Sequence, residues 1–136
     1  MSALTEARDT REIAAGGVHY TREFTVASGS TVYAGGITAV NSSGNAIPAT
    51  SAGAIVVVGR AENNASGGET VRTRSGMFLY NPVSSGAIVA NDVNKTCYVK
   101  DDQTVTLTSG TSAVIAGVVR DILPDGVVAE IGNGPL

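Results

Sequence analysis

The stretch VIAGVVRDILPDGVVAEIG, residues 114–132, decides the fold. Pro124-Asp125-Gly126 is turn chemistry: proline presets φ, and Asp and Gly accept the tight geometry that follows. The β-branched pairs Val118-Val119 and Val127-Val128 flank it and suit a pleated surface better than a helix. The reading is a β-hairpin with Gly117 inside its first strand. A strand glycine marks a bulge or a close approach of backbones, as at a barrel corner. The pattern has an echo upstream: Ile55-Val56-Val57-Val58-Gly59-Arg60, a polar turn, then Val71 and Gly76. Gly59 and Gly117 are therefore predicted to hold equivalent places in two hairpins. Two copies point to a barrel, since a solenoid needs at least ~3 repeats.

The rest of the chain agrees. Cys97-Tyr98-Val99-Lys100 and Thr104-Val105-Thr106-Leu107 read as strands. Turn clusters separate the strands at 41–45, 63–68, 84–86 and 109–111. Val (18) and Thr (14) dominate while Leu (5) and Lys (2) are scarce, which favours strands over helices. No stretch shows 3.6-residue periodicity, and residues 4–14 offer at most one helical turn before Gly16-Gly17. At 136 residues the chain is one domain's worth and can bury a core without staples. The class is all-β, a sandwich or barrel.

Charge is unevenly placed. Residues 1–23 hold seven of the 21 charged side chains, and residues 24–59 hold none. The charged, apolar-poor leader predicts an extended N-terminal arm over residues 1–19, ahead of a single β-barrel domain over 20–136. Arg8 and Arg11 of that arm are expected to anchor on carboxylates of a neighbouring subunit, the alternative being that the arm folds back on its own barrel. The uncharged stretch is expected to present a neutral outer face, with Thr38 and Ser42 at its surface, either as an interface, since charge depletion marks interface centres, or as a neutral surface with no partner. A net charge of −3 argues against nucleic acid as a partner. The polar leader and the absence of a long apolar run argue against secretion and a membrane span, so a soluble product of a reducing cytoplasm is expected.

Catalytic chemistry is hard to assemble. His19 is the sole imidazole and lies in the arm, with no nucleophile motif to serve. Cys97, alternating with Tyr98, reads as a core residue. One Cys and one His exclude an ordinary zinc site, and no glycine-rich phosphate loop occurs. Asp101-Asp102 read as turn formers. The expectation is a protein that is not an enzyme, with no cofactor and no metal. One charged set stands out: alternation in Glu69-Thr70-Val71-Arg72-Thr73-Arg74 puts Arg72 and Arg74 on one face. Arg60 and Glu62 alternate likewise on the preceding strand. If the strands pair, these residues form a cross-strand patch, either a solvated face or a contact for a partner's carboxylate.

The order of phrases carries a resemblance. LTEARDT, VASGSTVYAGGITAVNSSGNAIPAT, VVVGRAENNASGGETVRTRSGMFLY, CYVKDDQTVTLTSG and AGVVRDILPDGVVAEIG span about residues 4–132. Together they resemble the small head-decoration (capsid cement) proteins of tailed phages and Mu-like prophages. Met77 stands where that family more often has a branched apolar residue, and Ser75-Gly76 replaces a basic residue before glycine. The resemblance implies a β-barrel or β-tulip-like domain on the outer capsid surface of a virion, made in the host cytoplasm. It further implies the major capsid protein as partner and self-association as a homotrimer. Candidate capsid contacts are Glu6, Arg8, Asp9 and Arg11 of the arm, with Arg60, Arg72 and Arg74 of the patch. The competing expectation is a receptor- or carbohydrate-binding β-module of a tail or fibre. The lack of Trp and the 4% aromatic content weigh against that module.

Overall fold

The computed structural model describes residues 3–14, 20–50, 53–82, 88–107 and 114–133. His19 and the turn clusters 84–86 and 109–111 lie outside the described residues. Among the described residues thirteen strands account for nearly all the regular structure, and the one helical element is a 3-10 turn, Ala90–Asp92. In chain order they are β1 (Glu12–Ala14), β2 (Thr21–Thr25), β3 (Thr31–Val32), β4 (Ile37–Val40), β5 (Ala46–Pro48), β6 (Val56–Ala61) and β7 (Ala65–Ser66). They continue with β8 (Thr70–Arg74), β9 (Gly76–Pro82), β10 (Thr96–Asp101), β11 (Thr104–Thr106), β12 (Ile115–Leu123) and β13 (Gly126–Ile131).

The C-terminal strands form a closed barrel in the order β9-β11-β10-β12-β13, with β13 pairing back onto β9. The β9–β11 pair is parallel and the other four are antiparallel. The second sheet, β2-β8-β6-β4-β5, repeats this plan strand for strand. β2 stands for β9, β4 for β10, β5 for β11, β6 for β12 and β8 for β13. Even the parallel closure has a counterpart, reduced to one bridge between Val26, just past β2, and Ala46 of β5. β3 and β7 form a separate two-stranded ribbon.

The two glycines behave as their sequence setting predicts. Gly59 faces Thr38 across a bulge that leaves Val58 unmatched, and Gly117 faces Cys97 across a bulge that leaves Ala116 unmatched. The next residues, Arg60 and Val118, pair with Arg74 and Glu130. A Cβ on Gly59 would sit 2.5 Å from the Arg74 carbonyl oxygen, and one on Gly117 would overlap that of Glu130. Gly59 also has φ +142°, which side-chain-bearing residues avoid. Each bulge re-aims its strand and bends the sheet toward closure.

The main core draws on both sheets: Phe78, Tyr80, Cys97, Val105, Val119 and Ile131 pack with Ile37, Ala39, Ile47 and Val57. A smaller cluster of Val26, Val32, Ala46, Ala61, Ala65 and Val71, with Phe24 against it, fills the second unit. Strand alternation explains the assignment, since β8 buries Val71 and Thr73 and exposes Thr70 and Arg72.

Candidate functional site

Over its described part, residues 3–14, the arm lies along its own domain, the second of its two expected placements. The backbone is extended, so alternate side chains face opposite ways. Thr10 is buried and Arg8 half-buried, while Glu6, Asp9 and Arg11 are exposed. The Arg8 guanidinium donates to the Leu79 carbonyl (2.9 Å), to Thr10 Oγ1 (2.8 Å) and to Asn81 Oδ1 (3.4 Å), and lies 5.5 Å from the Tyr80 ring centroid. The Arg8 N–H donates to the Ala34 carbonyl, the Leu79 N–H to that of Arg11, and the Leu4 N–H to Asp102 Oδ1. β1 then adds to the edge of β9, Glu12 opposite Phe78. Within the chain, therefore, Arg8 serves as an internal clamp, where the sequence suggested an anchor for a neighbour. The cause is an unpaired sheet edge close at hand, which satisfies the arm's backbone groups better than water does.

The arginine patch divides. Arg60 and Arg74 are direct cross-strand neighbours, and like charges so placed need counter-ions. Arg60 donates from Nε and Nη2 to Glu62 Oε2 (3.0 and 2.7 Å) and from Nη1 to the Thr10 carbonyl (2.7 Å). Its guanidinium stands 4.3 Å from the Phe78 ring centroid. Arg74 meets Glu12 at 3.3 Å. Both cations thus hold the arm. Arg72 stands apart, paired with Glu23 at 3.2 Å with both side chains mostly exposed. Of the seven candidate residues, the structure unites Arg8, Arg60 and Arg74 around the arm. It leaves Glu6, Asp9, Arg11 and Arg72 on the surface.

Asp101 and Asp102 do end β10 and form the turn into β11, but both are buried. Asp101 accepts the Gln103 N–H, and Asp102 accepts the arm's Leu4 N–H while its own N–H donates to Thr50 Oγ1. Burial pushes the Asp102 carboxyl above the usual carboxylate range, opposed in part by the Leu4 bond. Their local sequence shows a turn; that the arm and the Thr50 loop would cover it is information held elsewhere in the chain. Cys97 is fully buried as read, and burial pushes its thiol up to about 12, far from reactive thiolate. Among the described residues no three His, Cys, Asp or Glu side chains gather as a metal site, and no helix is long and apolar enough to cross a membrane.

The uncharged stretch supplies β3, β4, β5 and the start of β6, and its turn between β4 and β5 lies at one end of the second unit. The Asn41–Asn45 turn is fixed by Asn41 Oδ1, which accepts the N–H groups of Ser43 and Asn45, leaving Ser42, Ser43 and Gly44 exposed. The Ile55 N–H donates to the Val40 carbonyl beside that turn, and Val56 pairs with Val40. Ile55 and Val56 are 60% and 44% exposed, so this charge-free end carries an apolar spot. Thr38 does not belong to it: it is fully buried, because its strand is covered on both faces. The geometry defines a small all-β protein built on a closed five-stranded barrel, with a second, incompletely closed unit beside it. No family model, curated protein or solved structure matches the chain.

Proposed function

We propose that this protein is a structural decoration protein of a tailed-phage head, without a catalytic role. On this reading it binds the outer capsid surface, bridges major capsid subunits and associates with its own copies as a trimer. The observation that carries the reading is the ordered series of Gly/Ala/Val phrases over residues 4–132. The geometry supports it in two ways. The charge-free end bearing Ile55, Val56 and Ser42 is cheap to desolvate, as a contact between copies requires. Glu6, Asp9 and Arg11 face outward on an arm fastened to the barrel, which presents them without further ordering cost. Weak contacts of this kind gain strength from repetition over a symmetric shell.

The test is co-sedimentation with purified tailed-phage heads. Saturable binding that is lost on Ile55→Glu or Ser42→Lys supports decoration through the charge-free end. Failure to bind heads, together with binding to cell-surface glycans, replaces the reading with a receptor module.

A further inference from the structure

The repeated plan leaves one edge of the molecule unfinished. Along β9 the N–H groups of Leu79 and Asn81 point away from β13 and are taken by the Arg11 and Gln103 carbonyls, from the arm and from the turn before β11. β2 is the counterpart of β9. Its pairing with β8 runs from Thr21 opposite Arg74 to Thr25 opposite Thr70. The bonds of Ser75 N–H to the Tyr20 carbonyl and Val26 N–H to the Glu69 carbonyl fix the phase of this ladder. Residues 20, 22, 24 and 26 exchange bonds with β8, so Thr21, Glu23 and Thr25 direct their N–H and C=O groups outward. Among the described residues no strand pairs with that side of β2.

A groove of about 700 Å³ runs along this edge, lined by Tyr20, Thr21, Arg22, Glu23, Phe24 and Arg72. These residues come from both faces of β2, so the depression is shallow and open to solvent. The charges are two arginines against one glutamate. Glu23 already pairs with Arg72, whereas among the described residues Arg22 reaches the Val58 and Gly132 carbonyls (3.4 and 3.2 Å) and the Tyr20 ring. Among the described residues Arg22 meets no carboxylate. The molecule itself shows what completes such an edge: β1, an extended antiparallel strand whose Glu12 pairs with Arg74.

We infer that the outer edge of β2 docks an extended segment of a partner protein as an added antiparallel strand. The segment carries an acidic side chain opposite Arg22 and apolar side chains two residues to either side. Backbone bonds to Thr21, Glu23 and Thr25 give affinity, and the Arg22–carboxylate pair gives selectivity. The apolar neighbours lie against Tyr20 and Phe24. This docking edge stands independently of the capsid reading.

The test titrates the full chain into fluorescein-labelled acetyl-TVTETVT-amide, with acetyl-TVTKTVT-amide as control, and follows amide exchange of the chain by NMR. The expected result is saturable binding of the glutamate peptide with Kd below about 1 mM, and binding of the lysine peptide weaker by about tenfold or more. The Thr21, Glu23 and Thr25 amides gain about tenfold protection while those of Arg22 and Phe24, already bonded to β8, stay unchanged. Arg22→Gln removes the preference for glutamate; if that variant fails to fold, the two peptides on the native chain decide. Equal binding of both peptides, no binding at 1 mM, or protection confined to other amides overturns the proposal. Protection of the same three amides by raising the protein concentration alone overturns it too, since the occupant is then a second copy.

Discussion

The two five-stranded units share one strand plan and differ in closure. In the C-terminal unit β9 is met on one edge by β13 and on the other by β11 and β1, so every strand of the ring has two neighbours. In the N-terminal unit the parallel closure shrinks to the Val26–Ala46 bridge, and β2 keeps an open side. The difference lies in side-chain supply. The closed ring gathers Phe78, Tyr80, Val105, Val119 and Ile131 into the main core, to which the open unit also gives Ile37, Ile47 and Val57, whereas the smaller core of three valines and three alanines draws on the open unit and the β3-β7 ribbon. Small side chains bury less apolar area, so the open unit gains less from closing. A barrel plan fixes which strands are neighbours; the volume available for its core fixes whether the ring shuts.

That comparison breaks most visibly at the paired glycines. Gly117→Ala drives a methyl into the Glu130 carbonyl of the closed ring, where neither strand can move away, and is expected to cost about 3 kcal/mol or more. Gly59→Ala meets the Arg74 carbonyl at 2.5 Å with an unfavourable φ, but β8 can shift beside the free edge of β2. Its expected cost is about 2 kcal/mol. Urea unfolding of both variants checks this. An equal or reversed order means that closure does not set the stiffness of the two bulges.

The arm gives the next effect. It bridges the two units, bonded to Leu79 of the closed one and to Arg60 and Arg74 of the open one, and Arg8 makes three side-chain hydrogen bonds from a half-buried position. Arg8→Ala leaves the Leu79 carbonyl and Asn81 facing a void and is expected to lower stability by about 1–2 kcal/mol. Arg72→Ala, which removes an exposed pair on the open unit, is expected to cost no more than about 0.5 kcal/mol. Thermal melts of the two variants measure the contrast. A melt unchanged by Arg8→Ala shows that the arm adds nothing to the barrel it covers.

How far the sequence reveals this molecule depends on the range of each signal. The hairpin over residues 114–132, the turn at Pro124–Gly126 and both bulge glycines are legible because turn chemistry and strand alternation act between near neighbours. The burial of Cys97 follows the same rule. The placement of the arm is not legible. Its arginines read as anchors for a neighbour, yet Arg8 bonds within the chain, and Arg60 and Arg74 reach back to the arm, Arg60 to the Thr10 carbonyl 50 residues away and Arg74 to Glu12. Thr38 is misread for a related reason: alternation marks a face as outer only when one side of the sheet is solvated, and β4 is covered on both. The open edge of β2 depends on what fails to arrive beside it, and no local pattern records that.

The smallest expected effect compares corresponding turns. Between β4 and β5 the chain reverses through Asn41–Asn45, a neutral turn largely exposed to solvent. Between β10 and β11 it reverses through Asp102-Gln103, with Asp102 buried beneath the arm's Leu4 and the Thr50 loop. Burial raises the folded-state pKa of Asp102 above its unfolded value. Between those two values the folded chain binds more protons than the unfolded one, so stability falls as pH rises through that window. Above it the charged carboxylate is carried at a cost, eased by the Leu4 N–H. Asp102→Asn keeps an acceptor for that N–H without the charge. It is therefore expected to raise the melting temperature slightly at pH 7 and to be neutral or slightly destabilising below the window. Asn41→Asp in the exposed turn is expected to leave the melt within error at both pH values. Melts at pH 3 and pH 7 on the three proteins decide. An Asp102→Asn variant that loses stability at pH 7 makes the charge itself part of the arm's attachment, and the closed unit then owes its cover to a buried ion as well as to strand pairing.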